Sequence, residues 1–256
     1  MPMNDRNPLV TVIMPAYNAA QFVRQAVQSV LDQTVSDLEL LVIDDGSTDE
    51  TPQIVEQMCE EDDRVRLITN VKNLGAGGTR NRGLDLSSSR YTALLDSDDY
   101  WKPQMLEKLI GRLEQTGADL CYCSYELVDA QGEKVCNDFI VPEDTDFKRS
   151  AVRNVISCSS VIFTRSVVDK YRFPSDVYHE DIALWFRMLR EGMVACGVPE
   201  VLAGYRQHTG SKTSGKIKSA WRRWSVYRKY LGLSVWKSTS FMVRYAWYGV
   251  KKYKRV

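Results

Sequence analysis

Apolar residues over the first hundred positions come in short blocks that alternate between two periods. Val10-Thr11-Val12-Ile13-Met14 is a compact, β-branched run, and residues 20–33 follow with Phe22, Ala26, Val27, Val30 and Leu31 at helical spacing. The alternation continues as a strand over 38–43, a helix over about 49–60 with Thr51-Pro52 near its start, a strand over 65–69, a helix over about 76–86 and a strand over 91–95. Continuous apolar strands separated by helices of about 10–15 residues predict an α/β fold with a mostly parallel central sheet flanked by helices. A fourth helix is predicted over about 103–116, where Pro103 suits a first turn and Met105, Leu106, Leu109, Ile110 and Leu113 face inward. After 117 the alternation loosens. Residues 118–128 read as a strand, 129–150 as polar loop, 159–163 as a buried strand and 198–208 as extended chain. An amphipathic helix over 179–192 carries Ile182, Trp185, Phe186 and Leu189 on one face, and 217–231 and 235–253 read as two basic, aromatic helices.

Composition narrows the class. With 256 residues, 44% hydrophobic and 26% charged, the chain is of globular type, long enough for one large domain or two small ones. No apolar run approaches the roughly 18–20 residues of a membrane span. The opening MPMNDRNP lacks a basic region followed by an apolar stretch, so no secretory signal is predicted. Cys59, Cys121, Cys123, Cys136, Cys158 and Cys196 are scattered without metal-ligand spacing, which predicts a reduced, cytoplasmic setting with cysteines as small core residues. The net charge of +1 hides an asymmetry: residues 216–256 hold 12 of the 34 Lys and Arg and none of the 33 Asp and Glu. An acidic body therefore carries a basic tail, which also contains four of the six Trp.

Four polar clusters fall where the predicted strands end, the edge at which open α/β sheets collect ligands. They are Pro15-Ala16-Tyr17-Asn18, Asp44-Asp45-Gly46-Ser47-Thr48-Asp49, Asn73-Leu74-Gly75 through Arg80-Asn81, and Asp96-Ser97-Asp98-Asp99. The second is also a good turn and helix cap. Gly75-Ala76-Gly77-Gly78 has the look of a phosphate loop, but a dinucleotide fingerprint needs Gly where Arg80 stands and belongs after the first strand. Asp96, Asp98 and Asp99 repel one another unless a cation intervenes. Hard oxygen ligands on a short loop suit Mg²⁺ or Mn²⁺ holding substrate phosphates, against the alternative of a solvated turn.

In this order, PAYN (15–18), VIDDGSTD (42–49), NLGAGGTRNRG (73–83), LLDSDD (94–99) and HEDIALWFRML (179–189) resemble the family 2 glycosyltransferases of GT-A fold, over roughly residues 9–210. The resemblance implies a nucleotide-sugar donor. By it, Pro15, Ala16, Tyr17 and Asn18 line the nucleoside pocket, while Asp45, with Asp44 and Ser47 beside it, accepts from the base. The imide N–H of uracil suits a carboxylate, which implies a UDP-sugar. Arg80, with Asn73 and Gly75, closes the other side. Asp96-Ser97-Asp98 matches the DxD motif, with Asp96 touching ribose and Asp98 ligating the metal that bridges the diphosphate. His208 matches a position where relatives place a His near that metal, though a lone His serves equally well as a surface or packing residue. His179 is read as structural.

Sugar transfer requires the acceptor hydroxyl to lose a proton as it attacks, while the metal offsets charge on the leaving diphosphate. Glu180-Asp181 matches the family's ED motif, with Asp181 as base and Glu180 orienting the acceptor. The bland alternative is a pair of acids complementing a helix dipole. One base without a second nucleophile implies single displacement with inversion, so a UDP-α-sugar gives a β-linkage. The implied GT-A domain spans 1–215, with a nucleotide-binding half over about 1–100 and an acceptor-binding half over about 101–215.

In the tail, Trp221, Trp224, Tyr227 and Leu231 recur at three- and four-residue steps, as do Phe241, Tyr245 and Tyr248. Basic amphipathic helices with interfacial Trp and Tyr lie on anionic membranes. The aromatics could instead pack on the catalytic domain. Nucleic acid, the third option, is disfavoured by the acidic body and the lack of a binding motif, so no nucleic-acid partner is expected. Small relatives with such tails build bacterial surface polysaccharides (O-antigen, capsule, exopolysaccharide) on polyprenyl-diphosphate carriers. The resemblance therefore implies a lipid-linked saccharide acceptor and a peripheral location on the inner face of the plasma membrane. A nucleotidyltransferase would need a Gly-rich, basic loop where PAYNAAQF stands. An inactive membrane-surface or scaffold protein of transferase fold would lack the DxD or ED acids, and Asp96, Asp98, Glu180 and Asp181 are all present.

Overall fold

The structure, a computed structural model, describes residues 7–207 and 216–253. Four strands, β1 (Val10–Ala16), β2 (Leu38–Asp44), β3 (Val65–Thr69) and β4 (Tyr91–Leu94), lie parallel in the order β3-β2-β1-β4. Their connections are α1 (Val23–Leu31), α2 (Thr51–Glu61) and α3 (Gly75–Leu86). Strand side chains alternate between two cores. Val12, Leu40 and Val42 pack with Val27 of α1 and Met58 of α2, whereas Ile13, Leu41 and Ile43 pack with Leu84 of α3. Both faces are thus covered, which is why these strands read as unbroken apolar runs.

The second half extends the sheet through β5 (Tyr100–Trp101), β6 (Leu120–Val128), β7 (Asp144–Thr145), β8 (Val161–Thr164) and β9 (Ala195–Arg206). The order continues β4-β8-β6-β9-β5, with β7 paired to β9. Here the sheet is mixed: β8 runs antiparallel to both β4 and β6, while β6 and β9 are parallel. A strand buried on both faces presents the same apolar run in either direction, so the sequence carries no mark of this reversal. Helix α4 (Met105–Thr116) joins the α1–α2 layer. Helices α6 (Arg165–Lys170) and α7 (Glu180–Arg190) join the α3 layer. The stretch 129–150, expected as loop, contains β7 and the start of α5 (Phe147–Val152), whose first turn is capped by the Asp146 carboxylate accepting from the Arg149 N–H. All six cysteines are free; Cys121, Cys123, Cys158 and Cys196 are buried as expected, Cys59 is half-buried, and Cys136, contrary to that expectation, is exposed.

The tail folds back as α8 (Lys216–Ser225), a π-helical turn (Val226–Tyr230) and α9 (Val235–Tyr253). Val226, Tyr227, Leu231 and Leu233 form a third core with Ala151, Ala183 and Phe186, and Tyr227 stacks on Phe186. Packing thus takes Tyr227, Leu231 and Phe241 from the predicted aromatic stripes. It leaves Trp221, Trp236 and Trp247 exposed, at 73%, 86% and 58%. No described helix is long and apolar enough to cross a membrane.

Helix α3 sits close on β1, and a Cβ at Gly83 would lie 2.4 Å from Ile13 Cγ2, a branched methyl in a full core. Gly83→Ala should therefore overpack the sheet at a cost of about 1–3 kcal/mol. Calorimetry should register a melting temperature lower by roughly 2–10 °C; a melting temperature within a degree of the parent would mean that β1 yields freely there.

Candidate active site

A cleft of about 720 Å³ opens at the carboxyl ends of β1, β2 and β4. Strand order reverses at β1, whose neighbours are β2 and β4, so this is the crevice where parallel sheets hold ligands. The structure brings Pro15, Ala16, Tyr17, Asn18, Asp45, Asn73, Gly75, Arg80, Asp96, Ser97, Asp98, Glu180 and Asp181 onto its wall. Asp44 and Ser47 stand behind that wall. The Asp44 carboxylate accepts the N–H groups of Gly46 and Ser47, 3.2 Å away, and shapes its own turn. Ser47 Oγ accepts the Asn18 N–H at 2.9 Å. His208 lies outside the described residues.

The first two polar clusters are sewn together. Asn18 adopts a left-handed φ of 49°, and its Oδ1 accepts the Thr48 N–H at 2.8 Å. Asp49 Oδ2 and Thr51 Oγ1 accept the N–H groups of Ala20 and Ala19 just before α1. Burial opposes ionisation of Asp49, but its bonds from the Thr51 hydroxyl and the Ala20 N–H prevail and hold the carboxyl below its usual range. Asp45 organises the third cluster: it accepts from Asn70 Nδ2 at 2.7 Å and from the Leu74 and Gly75 N–H groups at 2.8 Å. A carboxylate offers about four acceptor positions, so one remains beyond these three bonds. Anchoring the start of α3 in this way aims Arg80, on that helix, into the cleft.

Arg80 is 5% exposed, lies against the Phe173 ring and reaches two elements. It donates to Asp96 at 2.5 Å and to Glu180 at 3.3 Å. Burial disfavours its charge, yet Asp96 and Glu180 more than offset that, and the guanidinium stays firmly protonated. Gly77 allows the approach: a Cβ there would lie 3.0 Å from Glu180 Cγ.

The repulsion among Asp96, Asp98 and Asp99 is relieved by protein partners as well as by any cation. Asp96 takes Arg80. Asp99 is 2% exposed and turns inward, accepting from Ser159 Oγ and from the Arg206 N–H. Burial first, then the charges of Asp98 and Asp96, push its carboxyl well above the usual range. Arg206, also buried, donates to the Asp98 carbonyl and to Gln25. Asp98 remains on the cleft wall. Among the described residues no three His, Cys, Asp or Glu side chains converge on a metal position. A single protein carboxylate as ligand would leave the other positions of a divalent cation to substrate phosphates and water, the usual arrangement for Mg²⁺. Asp98 fits that role. Ser159 and Arg206 carry the loop, and nothing in their sequence neighbourhoods flagged them, because the contacts span 60 and 107 residues.

On the opposite wall, Glu180 and Asp181 form the first turn of α7. Burial among protein atoms raises the Asp181 carboxyl above its usual range, opposed by the Ile182 N–H and by Arg80. Tyr178 and His179 line the cleft beside them. His179, read above as structural, thus borders the site; burial, then the charges of Arg222 and Arg223, lower its imidazole below the usual range.

A nucleotide-sized cleft at the switch point of this mixed sheet, with two acidic walls, is the GT-A arrangement. S. aureus TarS in complex with UDP-GlcNAc superposes on it with a TM-score of 0.72 at 18% identity, covering 93% of this chain and 71% of that one. The Pyrobaculum calidifontis mannosyltransferase PcManGT in complex with GDP-Man and Mn²⁺ gives 0.66 at 20%, covering 88% and 63%. The profile described as Glycosyl transferase family 2 matches residues 11–136. TuaG of Bacillus subtilis, assigned to teichuronic acid biosynthesis, is 34% identical over 250 residues, 98% of this chain and 99% of its own. WfgD of Escherichia coli, a UDP-Glc:alpha-D-GlcNAc-diphosphoundecaprenol beta-1,3-glucosyltransferase, is 32% identical over 248 residues, 96% and 95% of the two chains. The chain belongs to glycosyl transferase family 2, and it is a glycosyltransferase.

The raised Asp181 carboxyl has a stability consequence. Folding favours its protonated form, so native stability falls as pH rises from the unfolded-state value near 3.9 through the folded one, and stays lower above it. Asp181→Asn should therefore melt higher than the parent at pH 8, with the gap closing as pH drops below about 4. Equal melting temperatures at pH 8 would show that the site bears no such cost.

Proposed function

We propose that this glycosyltransferase moves a sugar from a UDP-linked donor to a hydroxyl of a saccharide carried on polyprenyl diphosphate, with inversion, in bacterial surface-polysaccharide synthesis. The observation that carries the proposal is the convergence, on either side of Arg80, of the Asp96-Ser97-Asp98 loop and the Glu180-Asp181 turn in one cleft. Pro15, Ala16, Tyr17 and Asn18 hold the nucleoside, and Asp45 offers its remaining acceptor position to the uracil imide, with Asn73 and Gly75 beside it. Asp96 meets the ribose. Asp98, with His208 as a second candidate, would hold Mn²⁺ or Mg²⁺, which supplies positive charge beside the leaving diphosphate.

Asp181 takes the proton of the attacking hydroxyl. A carboxyl raised by burial is a stronger base than an exposed one, and it must ionise before it can act. Glu180, held by Arg80, orients the acceptor. Asp181 acts as the one base, so displacement is single and the anomeric carbon inverts. The acceptor class draws support from the named substrates of WfgD and of WfaP, which is 32% identical over 245 residues. The exposed Trp221, Trp236 and Trp247, on a segment of 12 basic and no acidic residues, face an anionic membrane on its inner side.

Thermal unfolding with UDP, GDP and dTDP, each with and without Mn²⁺, tests the donor. UDP at 100 times its dissociation constant adds about 2.7 kcal/mol and should raise the midpoint by roughly 5–10 °C, more with Mn²⁺. No shift with any nucleotide removes the donor assignment. Asp181→Asn should keep the UDP shift and lose transfer by at least about a hundredfold, and the acid limb of the parent's pH profile should lie above the ordinary carboxylate range. Full turnover in that variant excludes Asp181 as base. Deleting the tail would uncover Tyr227 and Leu231, so membrane contact is better tested by changing the exposed Trp221, Trp236 and Trp247 to Ser. Sedimentation with anionic liposomes should fall while the melting temperature holds; unchanged sedimentation assigns the tail to packing alone.

A further inference from the structure

The C-terminal extension reaches the mouth of the cleft. Tyr178 lines the cleft and is 51% exposed. The Arg222 guanidinium of α8 lies on its ring, 3.2 Å from the centroid. The next residue, Arg223, is 5% exposed and holds α8 in register by donating to the Ser150 and Ala151 carbonyls and to the Tyr227 hydroxyl. Arg222 makes no ion pair among the described residues, and 216–256 contains no Asp or Glu to supply one from within the tail.

The cleft itself is acidic. Asp45, Asp96, Asp98, Glu180 and Asp181 line it, and Arg80, the sole Lys or Arg among its described lining residues, is engaged by Asp96 and Glu180. An anionic acceptor approaching the Glu180-Asp181 wall would be repelled unless a cation met it there. Arg222 is that cation, and its charge already bears on His179 of the wall. A guanidinium stacked on an aromatic ring keeps its N–H edge free for bidentate bonds to phosphate, and the stacking restricts its rotamers beforehand.

We infer that Tyr178 and Arg222 form a subsite for the diphosphate of the acceptor, so that the extension supplies part of the acceptor site. This rests on the proposed lipid-diphosphate acceptor. It separates the phosphate contact, made by the extension, from the base that takes the acceptor hydroxyl's proton, on α7.

The test uses the full chain loaded with saturating UDP and Mn²⁺, titrated calorimetrically with farnesyl diphosphate and, separately, with farnesol. The parent should bind the diphosphate at least tenfold more tightly than the alcohol. Arg222→Gln and Tyr178→Ala should each remove at least tenfold of that affinity, while Arg222→Lys retains part of it. UDP affinity and sedimentation with phosphatidylglycerol vesicles should be unchanged in all three. Failure of the parent to bind UDP defeats the donor reading and is seen before farnesyl diphosphate is added. UDP binding with no preference for farnesyl diphosphate over farnesol overturns the subsite. So does undiminished diphosphate binding in Arg222→Gln. An equal loss of UDP affinity would assign Arg222 to the donor, and lost vesicle binding with intact diphosphate binding would assign it to lipid headgroups; either overturns the inference.

Discussion

The guanidinium of Arg80 is the contact on which the cleft depends. It is buried, it belongs to α3, and it bonds Asp96 after β4 and Glu180 at the start of α7. A buried ion pair is no strong source of stability, because desolvation consumes much of the attraction. Its value here is positional. Removing one partner of such a pair leaves an uncompensated charge inside, typically at about 3–5 kcal/mol, so the loop carrying the DxD motif and the turn carrying the ED motif cannot drift apart cheaply. Asp45 is the foundation beneath it, since the bonds to Leu74 and Gly75 fix where α3 begins and therefore where Arg80 points.

The acidic residues of the site divide by what they face. Asp44, Asp49 and Asp99 are absorbed by backbone N–H groups and hydroxyls, and they make the loops rigid. Asp98 and Asp181 stay on the cleft wall. Concentrating this much negative charge in one cleft costs solvation. The rise in the Asp99 and Asp181 carboxyls is the visible sign of that cost.

The C-terminal extension joins two kinds of surface. Its inner face completes a core with Phe186 and Ala183 of α7, the helix that starts at Glu180, so the extension buttresses the Glu180-Asp181 turn from behind. Its outer face keeps Trp221, Trp236 and Trp247 in solvent. Both faces arise from one aromatic, basic sequence. Packing against α7 selects which aromatics turn inward.

Much of this was legible in the sequence, and the reason is local. The parallel strands β1 to β4 and their helices follow from apolar runs and helical spacing. The polar clusters at the strand ends follow from the chain's need to turn there, and their order carried the family resemblance. The direction of β8 was not legible, because a doubly buried strand looks alike both ways. The split of the tail aromatics was hidden too, since every one of them sits at helical spacing and only the partner surface chooses among them. Within the site, PAYN, the DxD loop and the ED turn came together as their positions suggested. The partners that hold them did not announce themselves: Ser159 and Arg206 for the loop, Phe173 for Arg80, and Arg222 for Tyr178. The sequence by itself determined which segments form strands and helices and which residue types gather at the ligand edge, because those depend on near neighbours. The tertiary structure alone decided which carboxylates turn inward and which face the cleft, because a buried charge is settled by partners that lie far away along the chain.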